Sequence, residues 1–429
     1  MKIKTKKSSW EEIESLGKLP HLKPIKPPFL FRLLVRALSV PDLMKAHFSF
    51  TRSRMDQAGE GPWLILMNHS SFLDLKMASK ILFPKPYQIV STTDAFVGKS
   101  LLMRLIGCIP TQKFVTDVSL VMTLIRRLKK DKVSVLMYPE AGYSFDGTAT
   151  RLPRRLGGLL KRLGVPVVLI RSDAGGFLRD PLYNGLRLRR VKVNATVSCL
   201  LTCEEIREKS VEELDGILDE AFSFDHFREQ REKGIAITEG TRATGLERVL
   251  YRCPRCGAEK RMRGEGITLT CGACGASYEM KEDGTLAATE GETEFSHIPD
   301  WYAWERQTVR RELEEGTYRL DVPVSVGVIC DHKAMYLVGE GRLVHTREGM
   351  TLYDDKGRAV FTQDPWGSHS LNVDFFFYEM GDMIGIGSKD RLYYCFVQKG
   401  VPVTKARLAA EEMYEMPKPA KRAAEKAGE

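Results

Sequence analysis

The chain has no apolar run near the roughly 18–20 residues that a membrane-spanning helix needs. No apolar stretch follows the opening lysines of MKIKTKKSSWEEIE, so no secretory signal is expected. Without one the chain is expected in the cytosol, where its nine cysteines are thiols or metal ligands rather than disulfides. There is no internal repeat, which excludes solenoids and propellers. Low-complexity sequence is confined to the tail from residue 416, MPKPAKRAAEKAGE, which is expected to be disordered.

What is there is a globular chain. Hydrophobic residues make up 43% and charged residues 28%, enough to form cores. At about 150 residues per domain, 429 residues imply two or three domains. The net charge of +9 is uneven. Residues 1–54 carry twelve Lys/Arg against four Asp/Glu, and residues 151–192 carry eleven against two. The remainder is net −8. Two concentrated basic stretches on an acidic remainder attract phosphates, on lipid headgroups, cofactors or nucleic acid.

The first stretch, 1–54, contains FLFRLLVRALSV at 29–40. Arg32 and Arg36 share a helical face, and Leu30, Leu33, Leu34, Ala37 and Leu38 occupy the other. That pattern fits a helix lying in a membrane interface, or one packing its stripe on the protein's own core. Residues 55–225 alternate strands (63–67, 87–90, 133–138, 166–170, 190–201) with helical stretches near 73–82, 98–106, 116–130, 153–163 and 203–222. The expectation is an α/β layered domain with a mainly parallel sheet. Residues 226–250 read as a polar linker, 251–280 as a cysteine module and 281–300 as a second linker. Residues 301–415 read as an all-β domain, a small barrel or sandwich. Tyr318, Leu320, Val322, Val324, Val326 and Val328 alternate onto one face of its first strand.

The catalytic signal is Asn68-His69-Ser70-Ser71-Phe72-Leu73-Asp74, directly after the strand WLILM. A histidine there lies at the reactive end of an α/β sheet. Imidazole is the usual base near neutral pH. A carboxylate five residues on, across a strand-to-helix turn, reaches back to fix its tautomer. Ser70 and Ser71 lie outside any G-x-S-x-G elbow, so the nucleophile is expected to be a substrate hydroxyl.

Cys253-Pro-Arg-Cys256-Gly is followed by Cys271-Gly-Ala-Cys274-Gly, with fourteen residues between Cys256 and Cys271. Two C-x2-C-G knuckles supply four thiolates, a closed tetrahedral set suited to structural zinc. Rubredoxin-type iron is the alternative.

NHSSFLD resembles the N-H-x4-D motif of the glycerolipid (lysophosphatidic acid, PlsC-like) acyltransferase family. Three further blocks resemble its other motifs in order: Gly107–Lys113 the second, Tyr138–Ser144 the third and Val165–Ile170 the fourth. The resemblance covers residues 55–205. It implies transfer of a fatty acyl group from a thioester, acyl-CoA or acyl-acyl-carrier-protein, to a hydroxyl of a lysophospholipid. His69 would be the base and Asp74 its orienting partner. Lys113, Glu140, Tyr143 and Ser144 would bind the acceptor. The chain departs from the pattern where Tyr143 replaces the third motif's arginine, Ala141 its glycine, and Lys113 the second motif's arginine. Among Arg151, Arg154 and Arg155, in the basic stretch, one or more is expected to contact the acceptor's or the donor's phosphates, the alternative being a solvated basic helix face. The resemblance places the protein peripherally on the inner face of an anionic membrane, with no nucleic acid expected. The other classes are a catalytically degenerate lipid binder and a zinc-ribbon protein- or nucleic-acid-binding protein.

Overall fold

The strand Leu64–Met67 is buried at every position, as the centre of a sheet covered on both faces must be. In the computed structural model, which describes residues 2–115, 117–185 and 187–417, it lies fourth in a seven-stranded sheet. From one edge the order is Ser49–Ser53, Asn194–Leu201, Val167–Ser172, Leu64–Met67, Ser134–Met137, Tyr87–Thr92 and Cys108–Thr111. All pairings are parallel except Val167–Ser172 against Asn194–Leu201. Ile65 and Met67 join the core under helix Asp74–Leu82. Leu64 and Leu66 join the core under Val118–Ile125, Leu156–Leu163 and Val211–Ala221. The period-two alternation thus feeds two helical layers. The edge strand Cys108–Thr111 escapes the sequence pattern because it contains Pro110. An edge position tolerates the missing N–H.

Several expected boundaries differ. The acidic stretch 203–222 is two helices, Cys203–Glu208 and Val211–Ala221, each with a capping box, Thr202 with Glu205 and Ser210 with Glu213. Residues 226–250 are not a linker. His226, Phe227, Leu246, Val249 and Leu250 are all buried. Residues 281–300 are not one either: Leu286–Ala288 pairs with Ser277–Met280 in the four-stranded ribbon sheet. The tail from residue 418 lies outside the described residues.

The C-terminal region is built on a β-sheet, as expected. Its antiparallel sheet, with Leu320–Ile329 and Met335–Thr346 at its centre, is joined by helices Ile298–Glu314 and Val403–Glu415. Charged residues on the last helix disguise its burial: Arg407, Glu411 and Glu412 are all buried, each ion-paired.

Residues 1–54 are not one segment. Thr5–Lys7 adds a parallel strand to the C-terminal sheet, Trp10 and Ile13 enter its core, and Ser49–Ser53 edges the seven-stranded sheet. The helix Phe29–Lys45 is turned opposite to a simple amphipathic reading. Arg32 and Arg36 face the protein, donating to the Pro84 and Lys80 carbonyls beyond and at the end of helix Asp74–Leu82. Such terminal carbonyls lack helical partners, and guanidinium groups satisfy them. The leucines face outward instead: Leu30, Leu38 and Met44 are 70%, 68% and 69% exposed.

Candidate active site

The central strand ends at Met67, and Asn68 locks that end to its neighbour. Its side chain accepts from Ser172 N (2.8 Å) and donates to Ser172 O (3.1 Å). The chain then turns through His69–Leu73 into the helix at Asp74. Asp74 is buried and accepts from the amides of Ser70 (3.1 Å) and Ser71 (3.3 Å). Its Oδ2 lies 2.7 Å from His69 Nδ1. This contact makes Nδ1–H the donor and leaves the Nε2 lone pair free, without a hydrogen-bond partner among the described residues. Burial lowers the imidazole pKa below its ordinary value, while the Asp74 bond opposes that shift. A neutral imidazole with a free Nε2 is the form a general base needs.

The ring is sandwiched. Tyr138 stacks on it at 4.2 Å between centroids and Tyr143 at 3.8 Å. Tyr143, at the position of the third-motif arginine, therefore covers the histidine and presents no positive charge. Its neighbour Ala141 sits at φ +54°, in the left-handed region that favours the glycine this residue replaces.

The other expected residues divide. Lys113 is near: its Nζ lies 6.0 Å from the Tyr143 ring centroid, and it makes no ion pair among the described residues. Glu140 turns inward instead of toward an acceptor. Its carboxylate accepts from His69 N (2.9 Å) and from Thr150 N and Oγ1 (3.2 and 3.0 Å). Burial pushes its pKa up to about 7. It secures the His69–Leu73 loop from behind. Ser144 spends its hydroxyl on its own turn, donating to Thr148 O and accepting from Gly147 N. Arg151 and Arg154 also depart from expectation, pairing with Glu412 and Glu415 of the last helix.

Sequence reasoning missed Arg407. This buried residue of the last helix donates from Nη1 to Tyr143 O (3.0 Å) and from Nε to Glu411 (2.9 Å), and lies over Phe145. Nothing local marks it, since 264 residues separate it from Tyr143. Asp374 was missed too. Burial pushes its pKa up to about 6, and nearby Lys113 pulls it back.

Residues 47–170, which hold this dyad, match the Acyltransferase family. That match covers less than a third of the chain. The crystal structure of the 1-acyl-sn-glycerophosphate (LPA) acyltransferase PlsC from Thermotoga maritima aligns at a TM-score of 0.34 and 14% identity, over 45% of this chain and 81% of that one. No curated protein sequence matches this chain. The matched residues run from before the edge strand Ser49–Ser53 into the strand Val167–Ser172, and Asn194–Leu201, the ribbon and the C-terminal sheet lie beyond them.

The four ribbon cysteines converge. Their sulfurs all lie within 4.8 Å of one another. The Cys253–Cys274 and Cys256–Cys271 separations are 3.7 and 3.8 Å. A tetrahedron with metal–sulfur bonds of about 2.3 Å has edges of about 3.8 Å. The knuckle glycines, Gly257 and Gly275, take φ of +71° and +77°, which their turns require. These four residues fit a metal ion with no open position. The ribbon is wedged against helix Ile298–Glu314, where Trp301 Nε1 donates to Arg252 O and Arg252 N donates to the buried Glu305.

Proposed function

We propose that the protein moves a fatty acyl group from a thioester donor, acyl-CoA or acyl-acyl-carrier-protein, to a hydroxyl of a lysophospholipid. The observation that carries this is the 2.7 Å His69–Asp74 dyad with Nε2 free, inside the acyltransferase domain. His69 Nε2 takes the proton of the acceptor hydroxyl as its oxygen attacks the thioester carbonyl. Asp74 stabilises the imidazolium. The tetrahedral adduct collapses, the C–S bond breaks and the thiolate takes the proton back from His69.

The acceptor comes from the anionic inner face of a membrane. No helix among the described residues is long and apolar enough to cross one. The outward leucines of Phe29–Lys45 supply an interfacial face, with Lys26 and Lys45 exposed at its ends for anionic headgroups. The four cysteines hold a structural zinc that keeps the ribbon folded.

A thiol-release assay with labelled thioester and a lysophospholipid panel tests the reading. Wild-type protein should release thiol with acceptor acylation, and His69→Ala should lose at least about a thousandfold. Equal rates for the two would refute it. Lipid binding without any release would favour a non-catalytic lipid binder.

A further inference from the structure

Residues 375–382 join the strands Asn372–Asp374 and Met383–Ser388 of the C-terminal sheet. Asp374 is paired directly with Met383, so a tight two-residue turn would close this hairpin. The chain spends eight residues there instead. We propose that this strap is a cover over the His69 site, latched by the hydrogen bond from Tyr378 to Asp94, which swings aside to admit substrate. The proposal rests on the acyl-transfer reading and concerns access to that same site.

Placement is the first argument. Tyr143 stacks on His69, and the strap is built against the loop that carries Tyr143. The Phe375 ring lies 4.6 Å from that of Phe145, two residues further on. Burial first, then the charges of Asp74 and Asp374, hold the Tyr143 phenol above its ordinary pKa, which puts the root of the strap beside that ring. With Tyr138 stacked on His69 as well, the His69 side chain is 16% exposed and that of Asp74 2%. A general base must meet the acceptor hydroxyl within hydrogen-bond reach, with the thioester beside it. So small an opening does not admit both, and the covering residues have to move.

The strap's own conformation is the second argument. Phe376, Tyr378 and Glu379 take φ of +52°, +49° and +67°, the left-handed region that residues with a Cβ seldom adopt. Such strain persists only where surrounding contacts enforce it. Tyr378 Oη donates to Asp94 Oδ2 (2.8 Å), within the family-matched residues and just beyond the strand Tyr87–Thr92. The Arg248 guanidinium lies 4.0 Å from the centre of the Phe376 ring. Glu379 and Met380, between the latch and Gly381, are exposed. Gly381 has φ +143°, and no atom lies within 4 Å of the place a Cβ would take, so the backbone has room to turn there. A strained segment held by a side-chain tether beside an uncrowded glycine has the form of a hinged cover.

The test uses the purified full-length protein and two variants that weaken the covered state by different routes. Tyr378→Phe removes the latch hydroxyl and leaves Asp94 its bond from Tyr394 (3.3 Å). Gly381→Ala adds a Cβ that meets no atom but disfavours the covered φ. Carbethoxylation of His69 by diethylpyrocarbonate, followed by peptide mass spectrometry, reads access to the imidazole without any acyl transfer. Both variants should label His69 at least about fivefold faster than the wild type. Their kcat/KM with lysophospholipid and thioester should rise at least about threefold, because less of the protein is held in the covered form. Unchanged labelling in both variants overturns the cover, and so does faster labelling with an unchanged or lower kcat/KM, which would make the strap a fixed wall of the working site. If no form of the protein transfers an acyl group, the acyl-transfer reading fails, and the labelling rates alone then decide the strap.

Discussion

Tyr143 lies flat on His69, with 3.8 Å between ring centroids, and Arg407 holds its carbonyl from the last helix. The His69 imidazole is thus shielded by a residue whose carbonyl is held from the C-terminal region. Offset stacking of this kind contributes about 0.5–1.5 kcal/mol and excludes water from the ring face.

The stacking sets the first prediction, a pH dependence. His69 must be neutral to act, and burial holds its pKa below the ordinary 6.5. The acid limb of kcat/KM should therefore fall below pH 6.5 in the wild-type enzyme. Tyr143→Ala hydrates the ring and relieves that depression, so the limb should move up by about half a unit or more. Activity at pH 6 then drops more than activity at pH 8. A pH–rate profile superimposable on the wild type would refute the shielding role.

Arg407→Met removes the donor from Tyr143 O and breaks the ion pair with Glu411, leaving that carboxylate to Arg306 and Ser370. Breaking a buried pair costs about 3–5 kcal/mol. The expected outcome is a lower Tm and a kcat reduced about tenfold at 25 °C, with KM for the thioester little changed. Arg407→Lys should recover part of the stability but less of the kcat, because a point charge cannot serve both partners. Steady-state kinetics beside a melting curve separate the two effects.

The ribbon should hold about one zinc per chain. Cys253→Ser, or prolonged chelation, should lower Tm by more than about 5 °C. Activity should fall with it, since the ribbon packs under the helix bearing Arg306, which pairs with Glu411. Metal analysis of the purified protein gives the stoichiometry, and a metal-free sample with an unchanged melting curve would contradict the structural role.

Leu34→Glu with Leu38→Glu places two charges on the outward face of Phe29–Lys45 without touching its inward arginines. Pelleting with anionic liposomes should weaken at least about tenfold, while Tm stays within a degree or two. Deleting residues 1–54 is a poorer experiment, because it also removes an edge strand of each large sheet.

How much was legible follows from the range of each interaction. His69 and Asp74 are five residues apart across one turn, so spacing alone brought them together. The cysteine pairs are likewise local knuckles, and one hairpin brings them into a single set. The strands of the catalytic sheet were legible because period-two and buried apolar runs are local patterns. The linkers at 226–250 and 281–300 were misread because polar residues there pair with groups far along the chain. Gln230 donates to Glu282 O (3.0 Å) and Tyr278 donates to Glu294 (2.7 Å).

The sequence by itself determined the dyad, the four-cysteine set and the alternation that builds the parallel sheet, because each rests on neighbours within a few residues or on a repeating period. Only the tertiary structure decided where the charges go. It diverted Arg151 and Arg154 to the last helix, set Arg407 behind Tyr143, brought Asp374 to Lys113 and turned the leucines of Phe29–Lys45 outward. A long charged side chain takes whichever buried acceptor the packed chain leaves unsatisfied, and that acceptor is fixed by packing between segments hundreds of residues apart.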